Sequence, residues 1–284
     1  VRAGESASLI NADFPSNQFN HVILCVPRNG DTLWLECTSQ NIPFGYIGTF
    51  TDDRKALITA EDGGVLVSTR KYTLNDNRQF RTAVVDLASD GNATSIVKTN
   101  YTGILYDKIY PVLHMDAVDS RKFMHGHISI PTYDLVSFSH KEQKSIIPVI
   151  SEDLNLKLSN FGIFMGNRML LKPNLMTRVE KLPYTTKDRK SVVSIRRPYE
   201  EIDTIIFRLP SKFKIDQMPP KVSIVTKFGE YSAEICFINK SISYIRRFKL
   251  FNGDFPVTDY PEFVDFFEKI SACDESKIAL IKEL

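Results

Sequence analysis

Residues 19–40 read FNHVILCVPRNGDTLWLECTSQ, two apolar runs on either side of an Asn-Gly pair. Asn29-Gly30 favours a two-residue hairpin turn, because both residues tolerate the positive φ angles that such turns require. A turn at this point pairs Cys25 with Trp34, and side chains then alternate between two faces along each strand. We therefore predict an antiparallel hairpin.

One face of the predicted hairpin is wholly apolar. Apolar side chains that share a face normally mark the side of a sheet that packs on the core. We therefore expect six residues to face inward: Val22, Leu24, Val26, Leu33, Leu35 and Cys37.

The other face contains a histidine and a carboxylate. His21 and Glu36 are diagonal neighbours there, close enough for long side chains to meet, and Trp34 and Thr38 flank them. A carboxylate that accepts a hydrogen bond from an imidazole fixes its tautomer and raises its basicity, as in a nucleophile-base-acid triad. The periodicity also allows an ordinary surface pair, so both interpretations stay open.

The predicted pair has no nucleophile of its own. Cys25 lies four residues along the strand from His21, about 13 Å away at ~3.3 Å per residue. Cys37 is expected on the core face, while Cys236 lies in a late predicted strand and Cys273 is expected after the last helix. No chemical motif surrounds either of the last two residues.

Composition excludes several functional classes. The 284 residues are 43% hydrophobic and 25% charged, which is typical of a globular protein. Lys and Arg number 36 against 34 Asp and Glu, so we expect no nucleic-acid partner, and Arg196-Arg197 and Arg246-Arg247 are interpreted as solvated strand edges. No apolar run approaches the ~20 residues of a membrane span. The start at Val1, without a signal pattern, suggests a processed chain or a fragment.

Beyond the hairpin, short β-branched and aromatic runs between turn residues indicate a mainly β protein. We predict antiparallel modules of the β-sandwich type over residues 71–284, after a β portion at 1–70, with a further boundary near 172–190. Predicted strands cover residues 65–72, 79–87, 93–101, 127–138, 145–149, 203–209, 221–228, 230–239, 241–250 and 276–281.

Few segments have a helical pattern. A short helix is possible within residues 110–122, and residues 260–272, YPEFVDFFEKISA, have a clear helical pattern. Phe263, Phe266, Phe267 and Ile270 recur at helical spacing behind Pro261, which suits the first helical turn. We predict one C-terminal amphipathic helix that docks on a sheet.

A metal site is an alternative function. His125 and His127 would share a face if they lay on a strand, and two imidazoles at that spacing can chelate zinc. A third ligand would come from His114, Asp116, Asp119 or His140. Histidines bonded to neighbouring backbone are the simpler interpretation, and we predict no cofactor.

The order of histidine strand, hairpin and Trp-Leu-acid-x-Thr strand resembles the second half of the transglutaminase-like fold. In that family a catalytic Cys opens a helix, a His begins a following strand, and an Asp lies on the next. FNHVILCV (19–26) looks like the His strand and LWLECTSQ (33–40) like the acid strand. The resemblance implies that His21 is the base and that Glu36 replaces the usual Asp.

The resemblance extends to large bacterial transglutaminase-like proteins of unknown function, through NIPFGYIGTFTDDRKALITAEDGGVLVSTRKY (41–72) and the ending from IIFRLPSKFKIDQMPP (205–220) onward. Only twenty residues precede His21, and they contain no Cys. We therefore expect the C-terminal part of a longer, extracytoplasmic cysteine peptidase, amidase or transglutaminase. Its N-terminal part would carry the Cys and act on a peptide or protein substrate. The alternative is an extracytoplasmic β-rich binding or structural module whose transglutaminase-like portion is only a scaffold.

Overall fold

The computed structural model of the protein describes residues 1–4, 8–14, 16–29, 31–61, 63–184, 186 and 189–283, with backbone alone at positions 31 and 60. Across these residues the fold is mainly β, as predicted. The N-terminal part contains two hairpins with a short helix between them: β1 (Leu24–Arg28), β2 (Asp31–Leu35), α1 (Gly48–Thr51), β3 (Lys55–Ala60) and β4 (Gly63–Ser68).

The rest of the described chain contains fourteen strands and three α-helices. In chain order they are β5 (Arg78–Leu87), β6 (Ala93–Thr102), α2 (Ile104–Ile109), α3 (Ala117–His127), β7 (Tyr133–Gln143), β8 (Val149–Leu158), β9 (Ile163–Met165), β10 (Arg168–Leu171), β11 (Val193–Ile195), β12 (Tyr199–Arg208), β13 (Phe213–Gln217), β14 (Val222–Val225), β15 (Gly229–Ile238), β16 (Ser241–Leu250), β17 (Gly253–Phe255), α4 (Tyr260–Asp274) and β18 (Ile278–Lys282). Single 3-10 turns precede α3 and α4 at Tyr110–His114 and Val257–Asp259.

A large sheet of eight strands, in the order β14-β15-β16-β12-β5-β6-β8-β7, organises the molecule. All of its neighbours are antiparallel except β12 and β5, which run parallel. Buried and exposed side chains alternate along β6 and β8, so one face of the sheet is covered by protein and the other is exposed to solvent.

Two layers cover the inner face of the large sheet. The four-stranded sheet β13-β18-β10-β9 shares a core with it, through side chains such as Leu280, Met169 and Phe207. Helix α4 covers the remainder, where Phe266 and Ile270 are buried in a second cluster with Phe248. The helix and its docking face therefore follow the predicted pattern, because the apolar stripe at spacings of three and four residues meets the sheet.

Two predicted strands are wrong. The segment 127–138 begins in a helix, since α3 continues to His127, and β7 starts only at Tyr133. Residues 145–148 form a loop before β8. Asp116 caps α3 by accepting hydrogen bonds from the amides of Val118 and Asp119, a local helix start that the apolar pattern alone did not reveal. Between β10 and β11, the described residues form neither helix nor strand.

The N-terminal part is tied to the large sheet through buried polar groups. The Tyr46 hydroxyl bonds the Gly103 carbonyl at 2.8 Å and the Asp107 carboxylate at 2.7 Å. Arg197, just before β12, forms an ion pair with Asp52, whose side chain is 1% exposed. Arg197 is therefore not the solvated strand edge that the sequence suggested. These contacts fix the segment around α1 to the rest of the molecule.

Candidate active site

The first hairpin has the register predicted from its sequence. Leu24 pairs with Leu35 and Cys25 with Trp34 in an antiparallel ladder. The predicted turn residue Gly30 lies outside the described residues. Continued past the ends of β1 and β2, the same ladder brings His21 and Glu36 to one face.

His21 and Glu36 are in direct contact. The His21 Nε2 atom lies 2.9 Å from both carboxylate oxygens of Glu36. The two side chains are 12% and 1% exposed, so this contact is largely shielded from solvent. Thr38 supports the carboxylate as well, because its hydroxyl and its amide both donate to Oε1, at 2.7 Å and 3.1 Å. Trp34 is buried in the core on the same face.

The hydrogen bonds decide the charge of the carboxyl group. Burial would raise the pKa of Glu36, but the bonds from Thr38 and His21 outweigh it and hold that pKa below its ordinary value. An ionised carboxylate only accepts, so the proton in this contact lies on Nε2 of His21. The other ring nitrogen, Nδ1, is then left with a lone pair that can accept a proton.

The backbone around His21 is held by neighbouring segments. The Val1 carbonyl accepts hydrogen bonds from the amides of Asn20 and His21, both at 3.2 Å. The Phe50 ring packs edge-on against the imidazole with centroids 5.0 Å apart, and the Phe50 carbonyl accepts from the amide of Gly4. Residues 1–4 thus link the histidine strand to α1 and limit movement of the ring.

The prediction of which hairpin face packs inward is wrong. Val22 is 83% exposed and Leu24 is 49% exposed, whereas Trp34 is 6% exposed. Ile23 and Cys25 pack against the main core on the same side as Trp34. Hydrophobicity alone would favour the opposite orientation, but the bulk of Trp34 fills the core. The result is an apolar outer face beside an inward-facing His-Glu pair.

No thiol in the described part of the chain hydrogen-bonds to His21. The four cysteines are free. Cys37 is exposed rather than in the core, with its thiol directed toward the Leu35 carbonyl. Cys236 lies in β15 as expected, but Cys273 lies inside α4 rather than after it, and burial raises the pKa of its thiol. That none of these thiols serves His21 stays a prediction.

The metal alternative is not supported. His125 and His127 lie on a helix, where positions two apart point about 200° from each other. The His125 ring contacts the Tyr133 hydroxyl, and His127 contacts that of Tyr101. Of the proposed third ligands, Asp116 caps the helix and His140 bonds Glu152. Among the described residues, no group of three or more His, Cys, Asp or Glu side chains could hold a metal ion.

A buried polar network on the inner face of the large sheet was missed. Arg246, interpreted from sequence as a solvated edge, is fully buried and bonds Asp274 at 3.0 Å and Glu201 at 3.1 Å. Next along the sheet, Arg81 lies 3.6 Å from Asp203. The network continues through ring and carboxylate groups on β6, β7 and β8: Tyr101, His140 and Glu152. The alternation of side chains along each strand could have revealed this network, because its charged residues occupy the inward-facing positions of their strands.

Comparison with known proteins gives a partial match. A family model described as a domain of unknown function with a solved structure (DUF3858) matches residues 167–280, from β10 into β18. No curated protein matches the chain. A crystal structure of a candidate protease from Parabacteroides distasonis is similar over 89% of this chain, with 9% sequence identity and a TM-score of 0.36. The chain spans 34% of that protein's length. In the described part of the chain, no helix has the length and apolar character that a membrane crossing requires.

Proposed function

We propose that this chain supplies the base and the orienting carboxylate of a Cys-His-acid site in a transglutaminase-like protein. The observation that supports this proposal is the contact of both Glu36 oxygens with Nε2 of His21 at 2.9 Å. The contact leaves Nδ1 as the proton acceptor. The thiol would come from a segment of the same polypeptide that precedes Val1.

The proposed reaction uses each group in a defined way. Nδ1 of His21 takes the thiol proton, and the thiolate attacks a carboxamide or peptide carbonyl carbon. The imidazolium then gives its proton to the departing amine, leaving a thioester. Water or a second amine attacks that thioester, which gives hydrolysis or transfer. Glu36 keeps the imidazole oriented and stabilises its charged form throughout.

Two features of the hairpin support an upstream partner. The Val1 nitrogen lies 2.9 Å from the His21 carbonyl oxygen, so a preceding segment would enter beside the histidine. The outer face of the hairpin also exposes apolar side chains, among them Val22 and Leu24. Contiguous exposed apolar surface commonly marks a contact site. Because Val22 and Leu24 lie on the face opposite His21, this surface would contact another part of the upstream segment than the one that carries the thiol.

The test uses the parent gene. The reading frame upstream of Val1 should encode a helix that begins with Cys, and the intact product should show amidase activity that iodoacetamide blocks. His21→Ala should abolish that activity, while His125→Ala, an exposed histidine that contacts Tyr133, should retain it. The 284-residue chain alone should show no thiol-dependent turnover. An upstream frame without Cys, or full activity in His21→Ala, would refute the proposal.

A binding module is the second candidate. It is favoured by a cavity of about 380 Å³ over the large sheet, which is lined by buried polar groups. An extracytoplasmic location belongs to both candidates, rests on the resemblance alone, and is open to test by cell fractionation.

A further inference from the structure

We propose that the cavity over the centre of the large sheet binds a small organic carboxylate with an apolar body. Gln79, Arg81 and Tyr101 form its floor on the inner face of β5 and β6, and α2 and the segment 176–181 line its walls. Its volume of about 380 Å³ is within the range of small-molecule sites. The proposal is independent of His21 and of any upstream thiol.

The floor of the cavity contains an unsatisfied hydrogen-bond donor. Gln79 is 6% exposed, and its Nε2 atom is buried without a hydrogen-bond partner. A buried amide without a partner is destabilising, and such groups are uncommon in native proteins. A ligand oxygen placed above Gln79 would satisfy this amide. An apolar ligand would leave it unsatisfied.

One wall of the cavity is aromatic. The Tyr199 and Phe248 rings meet edge to face with centroids 5.7 Å apart, and Phe267 from α4 packs against Phe248 at 6.1 Å. Leu105 and Ile109 of α2 add aliphatic surface to the same cavity. A flat apolar group of the ligand can stack here, because aromatic faces favour offset and edge contacts.

The charges around the cavity favour an anion. The inner charges are compensated within the protein: Arg81 by Asp203, Arg178 by Glu275 and Glu201 by Arg246. Three charged side chains remain at the exposed rim, Lys108, Lys181 and Glu180. Neither lysine has an ion-pair partner among the described residues.

The two rim lysines outnumber the single rim carboxylate. Lys108 is held at the mouth, with its ammonium 5.5 Å from the centre of the Tyr199 ring. Cations that line a cleft raise the local concentration of anions. The ligand carboxylate is therefore placed at the lysines, its apolar body on the aromatic wall, and a further oxygen toward Gln79.

The experiment compares two probes of nearly the same size and shape, the anionic 3-phenylpropionate and the neutral 3-phenylpropanamide. Their binding to the folded protein is measured by saturation-transfer NMR titration. The test variant is Lys108→Gln with Lys181→Gln, which removes both rim cations from exposed positions. The matched control is Lys157→Gln, an exposed lysine on the outer face of β8.

Wild-type protein should bind the carboxylate more tightly than the amide. The double variant should lose about fivefold in affinity for the carboxylate, the effect expected for two exposed charge contacts, with the amide unchanged. Lys157→Gln should behave as wild type. Equal affinity for both probes, no saturation transfer from either probe, or an undiminished carboxylate affinity in the double variant would each overturn the proposal.

A second variant tests the floor. Gln79→Ala should weaken both probes by a similar factor, because it removes the donor rather than the charge. Circular dichroism establishes whether that variant folds. Tighter or unchanged binding in a folded Gln79→Ala protein would contradict the assigned role of the amide, and the lysine variants decide the proposal if it does not fold.

Discussion

Glu36→Gln is the most informative single change in the candidate active site. The substitution keeps the size of the side chain and removes its charge. Glu36 is 1% exposed at its side chain and accepts from three donors, the Thr38 hydroxyl, the Thr38 amide and Nε2 of His21. A glutamine oxygen can still face Thr38, but the glutamine amide then faces Nε2 of His21, so the imidazole must move its proton to Nδ1 before Nε2 can accept from that amide.

The cost follows from the hydrogen bonds. Bonds to a charged group contribute about 1.5–3 kcal/mol each, and neutral bonds about 0.5–1.5 kcal/mol. Loss of charge assistance in the bonds from Thr38 and His21 therefore lowers the free energy of unfolding by about 2 kcal/mol at neutral pH. Urea unfolding followed by the fluorescence of Trp34, the single tryptophan, measures this difference.

The pH dependence of that difference gives a sharper test. The pKa of Glu36 is lower in the folded protein than its ordinary value of 4.5. The stabilisation by its ionised form is therefore fully present above pH 4.5 and is lost as the pH falls through the folded-state pKa. The gap between wild type and Glu36→Gln should narrow under acid.

Glu268→Gln is the control, because Glu268 is exposed on α4 and has no ion pair among the described residues. This control should change stability by less than about 0.5 kcal/mol at any pH. A loss of stability in Glu36→Gln that does not change with pH would contradict this prediction, since it would mean that the charge of Glu36 contributes nothing to its hydrogen bonds.

Three further predictions concern the ion pair beside α1, the orientation of the first hairpin and a histidine of α3. Arg197→Ala leaves the Asp52 carboxylate buried without its cation and should lower the free energy of unfolding by about 3 kcal/mol, measured by urea titration. Val22→Ser should lower the free energy of unfolding by less than about 0.5 kcal/mol because Val22 is exposed, whereas Ile23→Ser should lower it by about 2 kcal/mol. The reverse order would mean that the apolar face of the hairpin packs on the core. Burial lowers the pKa of His127 below 6.5, so wild-type stability should fall as the pH drops below that value, and the fall should be smaller in His127→Gln.

The hairpin shows what sequence alone can determine. Its register followed from an Asn-Gly pair and from alternation, and both are local properties. The covered face depends on elements distant in the chain. Trp34 joins a core that includes Tyr46 and Ile47, so the inward face was decided by packing that no local pattern encodes.

The buried network shows a different limit. Arg81 and Arg246 lie at inward positions of predicted strands, so their burial was readable in principle. Their partners were not, because Asp203 lies on β12 and Asp274 at the end of α4, each in a different element from its arginine. The parallel pairing of β12 with β5 joins residues about 120 positions apart, and local patterns do not identify such partners.

The proposed role of His21 depends on which of its ring nitrogens carries the proton. Long-range proton–nitrogen NMR distinguishes protonated Nε2 from protonated Nδ1, and the His21→Ala spectrum assigns the signal among the five histidines. Wild-type His21 should carry its proton on Nε2 and leave the lone pair on Nδ1, and Glu36→Gln should shift the proton to Nδ1. A wild-type His21 protonated on Nδ1, or a tautomer unaffected by the loss of Glu36, would contradict the proposed role of the pair.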